Sequence, residues 1–181
     1  MRHGFKAQAE RKALAEREDL GLTARCRLNP LELAAAKEIH VVGLSELSGM
    51  PQEHRRHLLE VDTSAFSGVT VIRGEQKLIV VNDGHTPERQ ANTVSHEIAH
   101  VLLDHPPGPA FGEFGRTLSK EMEDEADWLA GCLLVPGSGI PATMQVAGGD
   151  LATAAAHYGV SVELMRWRHN VTRWRPRKKA A

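Results

Sequence analysis

Two runs rich in β-branched residues, GVTVIRG and KLIVVNDG, interrupt a chain whose apolar positions otherwise recur with helical spacing. Gly74-Glu75-Gln76 between them suits a hairpin, which predicts strands over 69–73 and 77–82. Upstream, residues 5–20 (FKAQAERKALAEREDL) combine strong helix formers with Gly21 as a stop. Asn29-Pro30 opens a second helix over LELAAAKEI, and VVGLSEL after it reads as a short strand and a turn. PQEHRRHLLEV predicts a third helix from Pro51. Downstream, Thr86 caps a helix that Pro87 begins and that runs to about Asp104, because Pro106-Pro107 cannot continue it. PPGPAFGEFGRT reads as a loop. Ser119 then caps a helix through about Leu134, and two further helical stretches lie near 141–157 and 161–170. The pattern predicts an α+β fold, a small twisted sheet packed on helices.

Composition narrows the class. The chain has 181 residues, 41% of them hydrophobic and 25% charged, which fits one domain with modest appendages. Lys+Arg 22 against Asp+Glu 23 leaves a net charge of −1, so no global field draws it to nucleic acid or a membrane. Cys26 and Cys132 form no CxxC pair, which argues against a disulfide scaffold or thiolate zinc knuckle and suits a reducing compartment. No apolar run approaches the length of a membrane span, and MRHGFKAQAER lacks an apolar signal region. The expectation is a soluble, cytoplasmic protein.

The ten histidines direct attention to one place. His96-Glu97-Ile98-Ala99-His100 is an HExxH motif inside the helix that Thr86 caps. Histidines at i and i+4 share a helix face, so both imidazoles can reach one metal ion. Zinc favours such nitrogen ligands and keeps one position open when it is catalytic. Glu97 lies about 100° round the helix from His96, where its carboxylate can act on the reacting water without being a ligand. In a chain of this composition the pentapeptide arises by chance with a frequency of about 0.05. Val94, Ile98, Val101 and Leu102 make the apolar stripe of the helix, and the histidines project from its other side.

A third protein ligand is needed. The HExxHxxGxxH solution fails on spacing, since positions 103 and 106 are Leu103 and Pro106, and His105 falls one residue short. The other common solution is a glutamate on a second helix, followed four residues later by an acid that steadies a ligand histidine. Glu121-Met122-Glu123-Asp124-Glu125-Ala126-Asp127 offers it in Glu123 and Asp127. Met122, Ala126, Leu129 and Leu133 share one helix face, and Glu123 and Asp127 border it. Glu121 and Glu125 fall on the opposite side, where the expectation is a solvated acidic face near a helix N-terminus. The metal set predicted is His96, His100 and Glu123, with Glu97 catalytic and Asp127 supporting.

The strand IVVNDG, the helix ERQANTVSHEIAHVLLDH and the segment EDEADWLAGCLLVP together resemble the ImmA/IrrE family of zinc metallopeptidases, and LATAAAHYGVSVELMRWR resembles its closing helical segment. The similarity spans roughly residues 30–170, and the GFKAQAER start is also familiar from such proteins. The resemblance implies a zincin-like fold, one zinc ion per chain on His96, His100 and Glu123, and Glu97 as the catalytic residue. It further implies a cytoplasmic endopeptidase whose partner is a helix-turn-helix transcriptional repressor. The division this suggests is a helical extension over 1–28, the peptidase domain over 29–170 and a basic tail over 171–181.

Other signals compete. AAAHYGVSVELMRWR has a helix-turn-helix rhythm, and residues 161–181 carry seven Lys/Arg against Glu163 alone. A DNA-binding regulator is therefore one alternative, and a catalytically idle, metal-stabilised interaction domain is another. A closing helical hairpin with a solvated tail explains the same residues, so neither specific nucleic-acid binding nor membrane binding is expected. Tyr158 and His157 are candidates for stabilising an oxyanion, or ordinary packing residues. Cys132 is expected to be a buried thiol, and Trp167 and Trp174 to pack the last helix.

Overall fold

A computed structural model of the chain describes residues 1–106 and 118–172. The 107–117 part of the predicted loop, Trp174 and the basic tail beyond residue 172 lie outside the described residues.

Helix α1 spans Phe5–Asp19, and α2 spans Pro30–Ala36. Asn29 caps α2 by accepting from the Leu31 backbone N–H at 3.1 Å. This helix is shorter than the LELAAAKEI run suggests. Glu38 takes a left-handed φ of 56°, and the chain turns there into strand β1, Ile39–Gly43. Sheet pairing accounts for the early stop: Ile39, 4% exposed, is drawn into the core beside Ile79.

Strands β2 (Gly68–Arg73) and β3 (Gln76–Val81) form the predicted hairpin, turning at Gly74 with φ 61°. β1 adds to β3 in parallel, Ile39 facing Lys77 and Gly43 facing Val81, so the order is β1-β3-β2. The central strand is the apolar LIVV run, as burial on both faces demands. Among the described residues β2 is left as an edge.

Between β1 and β2, α3 (Gln52–Arg56) winds into a single π-type turn at His57–Val61. The Asn82 side chain, fully buried, donates to the carbonyls of Leu58 and Phe66 at 3.0 Å each and pins this segment to the end of β3.

Helices α4 (Pro87–Leu102) and α5 (Lys120–Leu134) start at Thr86 and Ser119, whose side chains accept from the N–H groups of Arg89 and Met122. They pack on each other through Val94, Ile98 and Ala99 against Ala126, Leu129 and Leu133, and Phe5, Ala9 and Ala13 of α1 join the same core. Leu129 is fully buried. Leu129→Ala should therefore cost about 2–5 kcal/mol, read as a lower urea midpoint at unchanged slope.

The stretch near 141–157 is two helices, α6 (Ile140–Val146) and α7 (Leu151–Tyr158). Gly148 and Gly149, with φ of 62° and 85°, interrupt it, and Asp150 caps α7. With α8 (Val162–Val171) these helices close over a second core of Leu134, Ile140, Met144 and Met165. Among the described residues no helix is long and apolar enough to cross a membrane.

Candidate metal centre

α4 presents His96 and His100 one turn apart, with their Nε2 atoms 3.0 Å from each other. α5 brings in Glu123, whose Oε2 lies 3.3 Å from His96 Nε2 and 3.7 Å from His100 Nε2. Zinc bonds of about 2.0–2.2 Å at tetrahedral angles place neighbouring ligand atoms about 3.3–3.6 Å apart. The three atoms match that spacing to within a few tenths of an ångström, so this donor set could hold a metal ion.

The surroundings suit a cation too. Asp127 Oδ1 lies 2.8 Å from His96 Nδ1, which leaves Nε2 free to face the cluster. Burial pushes the His96 pKa down, but Asp127, Glu97 and Glu123 outweigh it and the net direction is up. That is the mark of surplus negative charge, which a divalent ion would offset. His100 is pushed down to about 4, first by burial and then by His96 and His105, so its ring is neutral at pH 7.

Glu97 turns away from the cluster toward β2, where Thr70 Oγ1 donates to its Oε2 at 2.5 Å. Burial raises the Glu97 pKa above the ordinary carboxylate value, although the Thr70 bond and His96 pull against it. Both groups line a cavity of about 480 Å³, with Gly68, Val69 and Thr70 of the edge strand on one side and His100 and Glu123 on the other. The close approach has a cause: a Cβ at Gly68 would stand 2.5 Å from Thr93 Cγ2, so only glycine lets β2 lie this near α4.

One expectation needs correction. Glu125 is not on a solvated face; it is 2% exposed, and Arg2 clamps it through Nε at 2.9 Å and Nη2 at 2.8 Å. The reason is that Glu125 stands one turn before the fully buried Leu129, on a face of α5 that the core covers, and α1 packs on α5 as well as α4 does. Tyr158 and His157 do not line the cavity. The Tyr158 hydroxyl meets Thr143 Oγ1 at 3.0 Å and donates to the Ala24 carbonyl, and His157 meets the Arg25 carbonyl, so both serve packing.

Other residues at the site carried weaker sequence signals. Thr70 is a polar residue flanked by valines in β2, and His105 sits five residues past His100, its Nδ1 2.9 Å from His100 Nδ1. Arg2 and Glu125 are 123 positions apart, a separation no local pattern bridges. Elsewhere, Cys132 is buried and its thiol is pushed up to about 12 by burial. Trp167 packs edge-on against Trp128 at 5.3 Å between centroids.

No curated protein matches the chain. Residues 49–170, well over half of its length, match the Peptidase_M78 family, described as the IrrE N-terminal-like domain. The matched span holds both helices that build the cluster, together with β2 and β3. The chain therefore belongs to the ImmA/IrrE family of peptidases, the IrrE N-terminal-like domain.

Proposed function

We propose that the protein is a zinc-dependent endopeptidase that cuts a helix-turn-helix transcriptional repressor at a restricted site. The observation that carries the hydrolytic part is the convergence of His96, His100 and Glu123 in one cavity, with Glu97 facing the same cavity but bonded instead to Thr70. His96, His100 and Glu123 would hold the zinc, and Asp127 would keep the His96 proton on Nδ1. Zinc bound there supplies Lewis acidity toward water and the scissile carbonyl oxygen.

The remaining work falls to the chain's own residues. Glu97 takes a proton from the attacking water on its carboxylate and returns it to the leaving amine nitrogen. Burial holds its basicity nearer neutrality than an exposed carboxylate would have. Thr70 holds one carboxylate oxygen, which keeps the side chain aimed into the cavity. Among the described residues β2 is an edge strand along that cavity, so an extended substrate segment can add to the sheet as a fourth strand. An edge strand beside the HExxH helix is the arrangement of a zincin-like fold, and we assign residues 29–170 to that domain. Residues 1–28 are its helical extension and 171–181 a basic tail.

The repressor substrate and the cytoplasmic setting rest on the family resemblance. Of the two arginines on α8, Arg168 is fully buried and spent on the Val135 carbonyl and Glu10, which leaves that helix only Arg166 to offer a phosphate backbone. Incubation of the zinc-loaded protein with the product of a neighbouring repressor-like gene tests the proposal. Discrete fragments that vanish with chelator are expected. Hydrolysis of generic peptides with an intact repressor would overturn the substrate, and no zinc-dependent hydrolysis of either would overturn the enzyme.

A further inference from the structure

His96 and His100 are supported in different ways. His96 Nδ1 meets the carboxylate of Asp127, a neighbour on the cluster's own solvent-facing rim. His100 Nδ1 meets a second imidazole, that of His105, at 2.9 Å. Behind His105, its Nε2 lies 3.8 Å from Glu125 Oε2. Behind Glu125 stands Arg2, which reaches the carboxylate with its backbone N–H at 3.0 Å as well as with its guanidinium. His105 and Glu125 are 9% and 2% exposed, so both are largely shielded from water, while Arg2 reaches Glu125 from the surface.

We propose that His105 and Glu125, fastened by Arg2, are positioning residues that set the tautomer and ring orientation of His100 and thereby the metal affinity of the site. The inference rests on the reading above, in which His100 is a ligand through Nε2.

Proton bookkeeping allows one arrangement along this chain. A neutral His100 that offers Nε2 to a metal carries its proton on Nδ1. That N–H can donate only if His105 Nδ1 accepts, so His105 carries its own proton on Nε2. His105 Nε2–H then faces the Glu125 carboxylate at 3.8 Å, beyond hydrogen-bond reach, so the carboxylate favours this tautomer by its charge and must be ionised and fixed to do so. Arg2 provides both conditions with a two-pronged contact on the carboxylate. If Glu125 is lost, His105 is free to move its proton to Nδ1. Two N–H groups would then oppose each other across 2.9 Å and turn the His100 ring away from the cluster. The first turn of the chain is thus tied to a metal ligand almost a hundred residues away.

The experiment measures zinc affinity by chelator competition in wild type, His100→Ala, His105→Phe, Glu125→Leu, the double variant His105→Phe/Glu125→Leu, and Arg2→Met. Phenylalanine keeps a planar ring at 105 and leucine leaves no unpaired charge at 125, and Arg2→Met alters a side chain that is 59% exposed, so that variant tests the link without touching the core. His105→Phe and Glu125→Leu should each weaken zinc binding about 10–100-fold, and Arg2→Met about 10-fold. The double variant should be no weaker than the worse single, because one chain is broken only once. Nitrogen-15 spectra of zinc-free protein, in which no metal fixes the His100 tautomer, should show His105 protonated at Nε2 in wild type and at Nδ1 in Glu125→Leu, a change that a purely structural role would not produce. Wild-type affinity in Arg2→Met and Glu125→Leu, or an unchanged His105 tautomer, overturns the inference. Failure of wild type to bind zinc, or full affinity in His100→Ala, instead overturns the ligand assignment beneath it.

Discussion

Glu97→Gln should retain fold and zinc while lowering peptide hydrolysis about 10²–10⁴-fold. Glutamine is nearly the same shape, and its amide oxygen can still accept from Thr70, so the side chain keeps its place. What it lacks is a basic carboxylate to take the proton of the attacking water. Metal content, circular dichroism and kcat/KM measured on one preparation test this. Hydrolysis within a few fold of wild type would remove Glu97 from the mechanism. Loss of zinc from the variant would make it a ligand instead. The pH profile follows from the same carboxylate. Only the ionised form is a base, and burial raises its pKa, so kcat/KM should fall with decreasing pH through a value above the ordinary carboxylate range. Thr70 donates to the ionised form, so Thr70→Val should move that acid limb to higher pH.

Removing a ligand should be as severe as removing the base, with a different signature. His96→Ala, His100→Ala and Glu123→Ala each take one donor from a set of three, and the expected result is a fall from one zinc per chain to a small fraction of that, with hydrolysis lost in parallel. Zinc that binds only the folded state raises the melting temperature, so the zinc-induced rise should vanish in the same variants. Asp127→Ala keeps all three donors and loses only the partner of His96 Nδ1, so its zinc affinity should drop about 10–100-fold. Elemental analysis and thermal melts with and without zinc decide the matter. Full zinc in Glu123→Ala would show that the third donor lies elsewhere.

Much of the fold was legible because local signals agree with the tertiary result. The caps at Thr86 and Ser119 and the spacing of Val94, Ile98, Leu129 and Leu133 define α4 and α5, and the hairpin follows from β-branched runs around Gly74. What the sequence left hidden is non-local. The helical run LELAAAKEI ends early because Ile39 pairs in a sheet with a strand nearly forty residues later, and helix propensity is a weak prior against that. The acid at 125 stands one turn before the buried Leu129 and so shares a covered face, but the partner that neutralises it there, Arg2, is 123 positions away. The same limit applies to the site. His96, His100 and Glu123 announce themselves through residue type and spacing, whereas the roles of Thr70, His105 and Arg2 depend on which surfaces folding brings together.

The shared core of α1, α4 and α5 bears on how the chain can be cut for study. A fragment trimmed to the family-matched span, 49–170, would keep His96, His100, Glu123 and the hairpin. It would lose Phe5, Ala9 and Ala13 from against Leu129 and Leu133, and would strip β1 from β3. One helix flank would then be bare and greasy, and the three-stranded sheet would become a two-stranded ribbon with sticky margins on both sides. Such a piece would tend to clump, and a boundary drawn by sequence likeness alone would discard part of the scaffold that holds the cluster together.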